Sequence, residues 1–287
     1  MKGKIVLILG AKGTLGQVLY EEFSKNGYQV TAWDREDLDV TSPEAERKIS
    51  DLTPDIIINA VAYNAVDLLE TDPEARKLAF LINGEVPGKL ARIAKNLGAI
   101  FVHYSSDYVF KGDKKAGYKE DDLPDPISAY GQSKYKGEKQ VLNQGDKYYL
   151  IRLSRLFGKK GSSESSKRTF VDIMLSELDK RELEVGNTET SDLTYAPDLA
   201  KLTREIIEEK KPWGIYHGAN ERACTWYGWA KEIFKILGKG PKVIPTKHTL
   251  TPKETKHPEN STLLNTKLPK QRLWQEALAE FLNKESK

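Results

Sequence analysis

The chain has little cysteine, little histidine and no long apolar run. A single cysteine, Cys224, in 287 residues rules out an intramolecular disulfide framework and fits a reducing, cytoplasmic setting. The four histidines show no spacing with that cysteine that suggests a zinc site, and no metal is expected. No stretch approaches the ~20 apolar residues of a membrane-crossing helix. In the opening MKGKIVLILG the run is interrupted by Gly10 before any cleavage-like site, and reads as a first strand. An excess of one charge is also missing, since 45 Lys and Arg against 42 Asp and Glu leave a net charge of +3. That mixed surface argues against a nucleic-acid partner. The 39% of hydrophobic residues is enough for a sizeable core.

Apolar runs bounded by polar residues recur in the first half: KIVLILG, YQVTAW, DIIINAVA, AIFVHYSS and KYYLIRLS. Apolarity on both sides of a strand is expected of parallel strands covered on both faces. Segments of helical character lie between them: TLGQVLYEEFSKNG, SPEAERKISDL, DPEARKLAFLINGEVPGKLARIAKNLG and PISAYGQSKYKGEKQVLNQG. Ser42 before Pro43 reads as an N-cap, and Gly27 and Gly98 as helix C-terminal signals. The alternation predicts an α/β fold with a Rossmann-type doubly wound parallel sheet over residues 1–153. Residues 154–287 read mainly as a smaller substrate-binding lobe, with some segments returning to the sheet. The lobe starts with a Gly/Ser/Lys-rich stretch at 158–168 that reads as a mobile loop. It continues with helices near 170–180 and 196–210, a strand at GIYHG, and a helix from Thr225, a cap candidate, to Leu237. A Pro/Thr-rich irregular segment precedes a closing helix.

GAKGTLG sets Gly10, Gly13 and Gly16 between the first strand and the first helix. Gly10 permits the tight turn, Gly13 allows a pyrophosphate to approach the backbone, and Gly16 lets helix and strand pack closely. The helix start, with Lys12, Thr14 and Leu15, offers N–H groups and a positive dipole end to phosphate. Asp34 ends the second strand, eighteen residues beyond Gly16, where an acid holds the adenosine ribose. An acid there favours NADH; Arg35 and Lys12 push toward NADPH, so use of either is expected.

Three Tyr-Lys pairs have the YxxxK spacing that puts both side chains on one helix face: Tyr130 with Lys134, Tyr135 with Lys139, and Tyr227 with Lys231. Spacing alone does not choose among them. Tyr130 sits at a helix start, downstream of the YSSD strand end. Tyr135 points about 140° away around the same helix, and Tyr227 lies in the later lobe.

The order GAKGTLG, INAVAYNAVDLLE, LINGEVPGKLA, YSSDYVFKGD, PISAYGQSK, GIYHGAN with TWYGWAKEIF, and STLLNTKL resembles the extended short-chain dehydrogenase/reductases. Within them it resembles the dTDP-4-dehydrorhamnose reductase family, over essentially the whole chain. The resemblance implies NADPH- or NADH-dependent reduction of the 4-keto group of a nucleotide-linked 6-deoxyhexose. It implies Tyr130 as proton donor, Lys134 as the cation that stabilises the tyrosinate and binds the nicotinamide ribose, and Ser106 as the group holding the carbonyl oxygen. Asn83 matches a helix asparagine that supports a proton-relay water. Cofactor contacts are implied for Asp39, Val40 and the run Asn59, Ala60, Val61, Ala62 and Tyr63. The sugar pocket is implied to include Val66, Asp107 and Tyr108.

Three departures stand out. Arg155 takes the place of a tryptophan that packs on the sugar, and is expected either in the pocket or in an outward, exposed ion pair. His257-Pro258 replaces an Arg-Pro pair, and an Asp-Gln pair after the sixth strand has no clear match. Glutamates that bridge a dimer through magnesium in some relatives are Val18 and Pro197 here, so that metal site is not expected and a monomer or weak homodimer is. Two alternatives stay open: another sugar-nucleotide epimerase or reductase of the superfamily, and a non-catalytic NADP-binding regulatory subunit like the one that partners methionine adenosyltransferase. SSDY lacks the Asp-Glu pair that dehydratases add.

Overall fold

Side chains along a strand alternate between the two faces of its sheet, and the apolar runs use this to fill two cores at once. The computed structural model describes residues 1–163, 168–247 and 255–285. Its main sheet has six parallel strands, β1 (Ile5–Leu9), β2 (Gln29–Trp33), β3 (Ile56–Asn59), β4 (Ile100–Ser106), β5 (Tyr148–Leu153) and β6 (Gly214–His217), in the order β6-β5-β4-β3-β1-β2. Val6, Ile8, Ile56, Ile58, Val102 and Ile151 enter one core. Leu7, Leu9, Ile57, Phe101 and Leu150, their neighbours in sequence, enter the other.

The helices Thr14–Lys25 and Ala196–Glu208 cover the first core through Leu15, Leu19, Phe23, Leu199 and Ile206. The helices Ala45–Leu52, Val86–Leu97 and Ala129–Gln144 cover the second through Ile49, Leu90, Ile93 and Val141. The chain changes direction across the sheet between β1 and β3, and the carboxyl ends of strands at such a switch point form a ligand crevice. A third core, with Phe157, Trp229, Ile233, Trp274 and Phe281, belongs to the later segments. No helix of the described residues is long and apolar enough to cross a membrane.

Several local expectations are corrected. Ser42 does not cap a helix: the helix starts at Ala45 with Glu44 before it, because the Ser42 carbonyl is taken up by a turn to Ala45 N and by Lys89 Nζ. The helix expected near 170–180 ends at Leu175, where Ser176 turns back to the Asp172 and Ile173 carbonyls. The long helical segment after β3 is two helices, Pro73–Ala79 and Val86–Leu97, joined by a π-helical turn, Phe80–Glu85. Pro87, four residues beyond Asn83, has no N–H for the Asn83 carbonyl, so the regular ladder is interrupted there. Thr225 caps its helix by accepting from Gly228 N. Residues 164–167 of the expected loop and 248–254 of the irregular segment lie outside the described residues.

Candidate active site

The glycine turn is built to keep a helix start bare. Gly13 caps the Thr14–Lys25 helix without a side chain, and no acid occupies the first turn, so N–H groups that lack an intrahelical partner remain for an anion. A Cβ at Gly16 would sit 2.1 Å from the Gly10 carbonyl oxygen, so the close packing of helix on strand requires glycine there. Leu15 points into the core. These features fit the pyrophosphate of a dinucleotide.

At the ribose end, Asp34 accepts from Lys12 N and Arg35 N, both at 2.8 Å. The Lys12 ammonium is paired with Glu36 at 3.2 Å, a partner the sequence did not suggest. Asp39 accepts from the Thr41 amide and hydroxyl at 2.9 and 2.7 Å, which holds its carboxyl below the usual range. Val40 is buried in the second core. The Asp39 carboxylate is thus bonded within its own turn, and the Val40 side chain faces the core.

Asn59 is corrected in the same sense. Its amide lies 3.1 Å from His103 Nδ1 and its oxygen accepts from Val61 N at 3.1 Å, so its side chain shapes the Ala60 to Tyr63 loop from beneath. Asn83 is fully buried; it accepts from Tyr63 N at 2.8 Å and donates to Tyr63 O and Ser133 Oγ, each at 3.0 Å. With those groups committed, Asn83 ties the loop after β3 to the Ala129–Gln144 helix instead of presenting its amide to a relay water.

That helix delivers the two chemical groups. Ser128 caps it by accepting from Gly131 N at 3.1 Å, and a Cβ at Gly131 would sit 2.2 Å from the Tyr108 carbonyl oxygen. Only glycine lets the helix start lie this close to the end of β4, which brings Tyr130 beside Ser106. Burial and the Asp107 charge push the Tyr130 phenol above its ordinary range, and the Ser106 hydroxyl pulls the other way. Tyr130 Oη donates to Asn64 Oδ1 at 3.4 Å. Lys134 is buried, donates to the Tyr104 carbonyl at 2.7 Å, and is lowered by burial to about 8 while Glu138 opposes the shift. Glu138 in turn holds Arg152 in a fully buried bidentate pair at 2.7 and 2.8 Å. The other two Tyr-Lys pairs stand apart: Tyr135 packs with Val109, Phe110 and Tyr118 under Lys139, and Tyr227 packs in the third core under Lys231.

Around Tyr130, Tyr63, Val66 and Tyr108 pack as one cluster. Asp107, expected in the sugar pocket, is buried with both oxygens occupied: it accepts from Ser106 at 3.0 Å, Ser154 at 2.7 Å and Ser261 at 2.6 Å. It acts as an anchor, with burial raising its carboxyl. Arg155 forms no outward ion pair. Its guanidinium donates to Cys224 O at 2.8 Å and Glu189 O at 3.2 Å and lies 4.0 Å over the Trp226 ring. Its φ of 40° places a non-glycine residue in the left-handed region. Glu189, Trp226, Asp67 and His257 complete this wall. Of these, His257 carried a sequence signal as a departure, and Asp67 and Trp226 lie in segments that carry the resemblance; nothing in the sequence marked them as neighbours.

Six parallel strands in doubly wound order, a bare helix start and a Ser-Tyr-Lys set at one strand end define the extended short-chain dehydrogenase/reductase class. Within it the chain belongs to the RmlD substrate binding domain family, whose model matches residues 3–287. It is 32% identical to the Bacillus subtilis spore coat polysaccharide biosynthesis protein SpsK, over 98% of each chain. It is 35% identical to dTDP-4-dehydrorhamnose reductase of Aggregatibacter actinomycetemcomitans, over 92% of this chain and 91% of the relative. Among solved structures, dTDP-4-dehydrorhamnose reductase from Bacillus anthracis in complex with NADP superimposes with a TM-score of 0.91 at 32% identity, covering 99% of this chain and 100% of that one.

Proposed function

We propose that the protein reduces the 4-keto group of a dTDP-linked 6-deoxyhexose, converting dTDP-4-dehydrorhamnose to dTDP-L-rhamnose. The observation that carries this is the convergence of Ser106, Tyr130 and Lys134 at the carboxyl end of β4, on the sheet edge that also carries the glycine turn, in a chain similar along its whole length to an NADP-bound reductase of that name. NADPH or NADH, held at the glycine turn and by Lys134, supplies the hydride.

The chain's own groups manage the charge that develops on the keto oxygen. Tyr130 starts as a neutral phenol and gives its proton to that oxygen. Ser106, whose hydroxyl donates to Asp107 in the resting site, turns to the keto oxygen; Asp107 keeps its bonds from Ser154 and Ser261. The Lys134 ammonium, one turn from Tyr130, stabilises the phenolate left behind. Tyr108, just after β4, and the Arg155-Trp226 wall of the smaller lobe hold the sugar.

The test is incubation with NADPH and a panel of nucleotide-linked 4-keto sugars, following loss of NADPH absorbance and identifying the product by NMR. Turnover confined to dTDP-4-keto-6-deoxyhexoses is expected. Tight NADPH binding without turnover of any member would favour the regulatory-subunit alternative.

A further inference from the structure

Beside Tyr130 lies a chain of polar groups of which the reaction proposed above uses only Tyr108, as a contact to the sugar. The Tyr108 ring packs edge-on against Tyr130, with centroids 5.6 Å apart, and edge-on against the His257 imidazole at 5.9 Å. Tyr108 Oη and His257 Nδ1 are 2.8 Å apart. On the other ring nitrogen, Nε2 lies 3.5 Å from Asp67 Oδ1. Both atoms are buried, and neither has a hydrogen-bond partner within the described residues.

The Asp67 carboxylate is the charged group that approaches Nε2, at 3.5 Å, and a carboxylate beside one ring nitrogen favours the tautomer with its proton on that nitrogen. The imidazole proton belongs on Nε2, toward the carboxylate, which leaves Nδ1 as an acceptor. The Tyr108 hydroxyl then donates to Nδ1, and its oxygen offers only lone pairs to the rest of the pocket. Glu189 does not compete: its Oε2 is 3.9 Å from Nδ1, beyond hydrogen-bond reach, and accepts from Trp226 Nε1 at 3.0 Å.

We infer that Asp67 and His257 are positioning residues that hold Tyr108 as a hydrogen-bond acceptor, selecting a substrate with a hydroxyl beside its keto carbon. The inference rests on the keto-sugar reading of the site. In a 4-keto-6-deoxyhexose the carbons flanking the ketone are C3, which bears a hydroxyl, and C5, which bears the methyl group; the partner is therefore the C3 hydroxyl. Ser106 and Tyr130 both present donors to the keto oxygen, whereas Tyr108 presents an acceptor next to them. A sugar without the C3 hydroxyl, or with a second carbonyl there, leaves that acceptor unmatched. Sites built to bond a substrate hydroxyl discriminate strongly against analogues that lack it.

The experiment compares kcat/KM for a dTDP-4-keto-6-deoxyhexose and its 3-deoxy analogue in the wild type, Tyr108→Phe, His257→Ala, His257→Gln and the Tyr108→Phe/His257→Ala pair, with coenzyme titration as the check on folding. The wild type is expected to favour the 3-hydroxy sugar by about 10- to 100-fold, as one lost buried hydrogen bond implies. Tyr108→Phe and His257→Ala should each bring the ratio close to one, the double variant should go no further, and His257→Gln, which keeps an acceptor, should restore part of it. Equal use of both sugars by the wild type, or a His257→Ala variant that loses activity on both in equal proportion, overturns the inference. If His257→Ala no longer binds coenzyme, Tyr108→Phe, which removes only a hydroxyl, decides the matter. A wild type that binds NADPH but reduces neither sugar overturns the reading of the site, and the inference with it.

Discussion

Burial works against ionisation of Tyr130, so in the proposed reaction its proton is held until negative charge develops beside it. Tyr130→Phe is expected to lower kcat by about 10²- to 10⁴-fold, the usual size of general acid catalysis, while the NADPH dissociation constant measured by fluorescence titration stays close to wild type. An equal loss in Tyr135→Phe would move the role to the wrong face of the helix. Coenzyme choice is also a residue-scale question. In the proposed coenzyme pose Asp34 meets the ribose; Asp34 accepts from Lys12 N, and Glu36 pairs with the Lys12 ammonium. Asp34→Ala, by removing a carboxylate that repels a 2′-phosphate, should shift the ratio of NADPH to NADH affinity toward NADPH; Glu36→Gln should do the same by releasing Lys12. Ratios unchanged in both variants would place the ribose elsewhere.

At the scale of elements, the Ala129–Gln144 helix matters most, because its start must touch the end of β4. The Ser128 cap fixes where it begins, and the Gly131 contact with the Tyr108 carbonyl fixes how close it lies. Gly131→Ala is expected to force a shift that costs about 1–3 kcal/mol of stability and to lower kcat by displacing Tyr130 relative to Ser106. Gly228→Ala is the matched control: its Cβ would meet nothing closer than 3.6 Å, so alanine there should be neutral or slightly stabilising. Melting temperature and kcat measured on both variants check the pair. The π-helical turn makes the corresponding connection on the other side, since it aims Asn83 at Tyr63 and at Ser133 of the same helix.

Across the whole molecule, buried polar groups sew the later segments onto the sheet. Asp107 at the end of β4 is bonded to Ser261, 154 residues further along the chain. Asp192 accepts from the Leu263 amide at 2.6 Å, and burial pushes its carboxyl up to about 7. The sign of its effect follows from linkage. Between pH 4 and 7 the folded protein keeps a proton on Asp192 that the unfolded chain has released. The group's contribution to stability is therefore greatest below about pH 4, and falls on the order of 1 kcal/mol per unit as pH rises to about 7. Asp192→Asn keeps an oxygen for Leu263 but cannot titrate, so the variant should gain stability relative to wild type between pH 5 and pH 8. Urea melts at those two values test this; a stability difference independent of pH would show that Asp192 titrates normally.

The strands, the doubly wound sheet and the glycine turn were legible in the sequence because they depend on local chemistry, whereas three Tyr-Lys pairs shared one spacing and the family resemblance chose Tyr130 and Lys134. Two-sided apolarity marks a strand covered on both faces, three glycines mark a bare helix start, and four-residue spacing sets two side chains on one helix face. The same local logic erred at Ser42, where a turn to Ala45 and Lys89 took the carbonyl that would otherwise have accepted the first bond of a helix. It was silent on what Asn59, Asn83, Asp107 and Arg155 face, since each of these polar side chains is satisfied by partners from distant segments. The resemblance implied Asp107 in the sugar pocket; in the fold three serine hydroxyls bond its carboxylate. The Asp67-His257-Tyr108 chain joins residues 67, 108 and 257, and no spacing rule connects them. Periodicity and turn chemistry act over a few residues and are written in the sequence. A buried polar group must be satisfied by whatever the packing of sheet and lobe brings to it, and only the tertiary structure decides that.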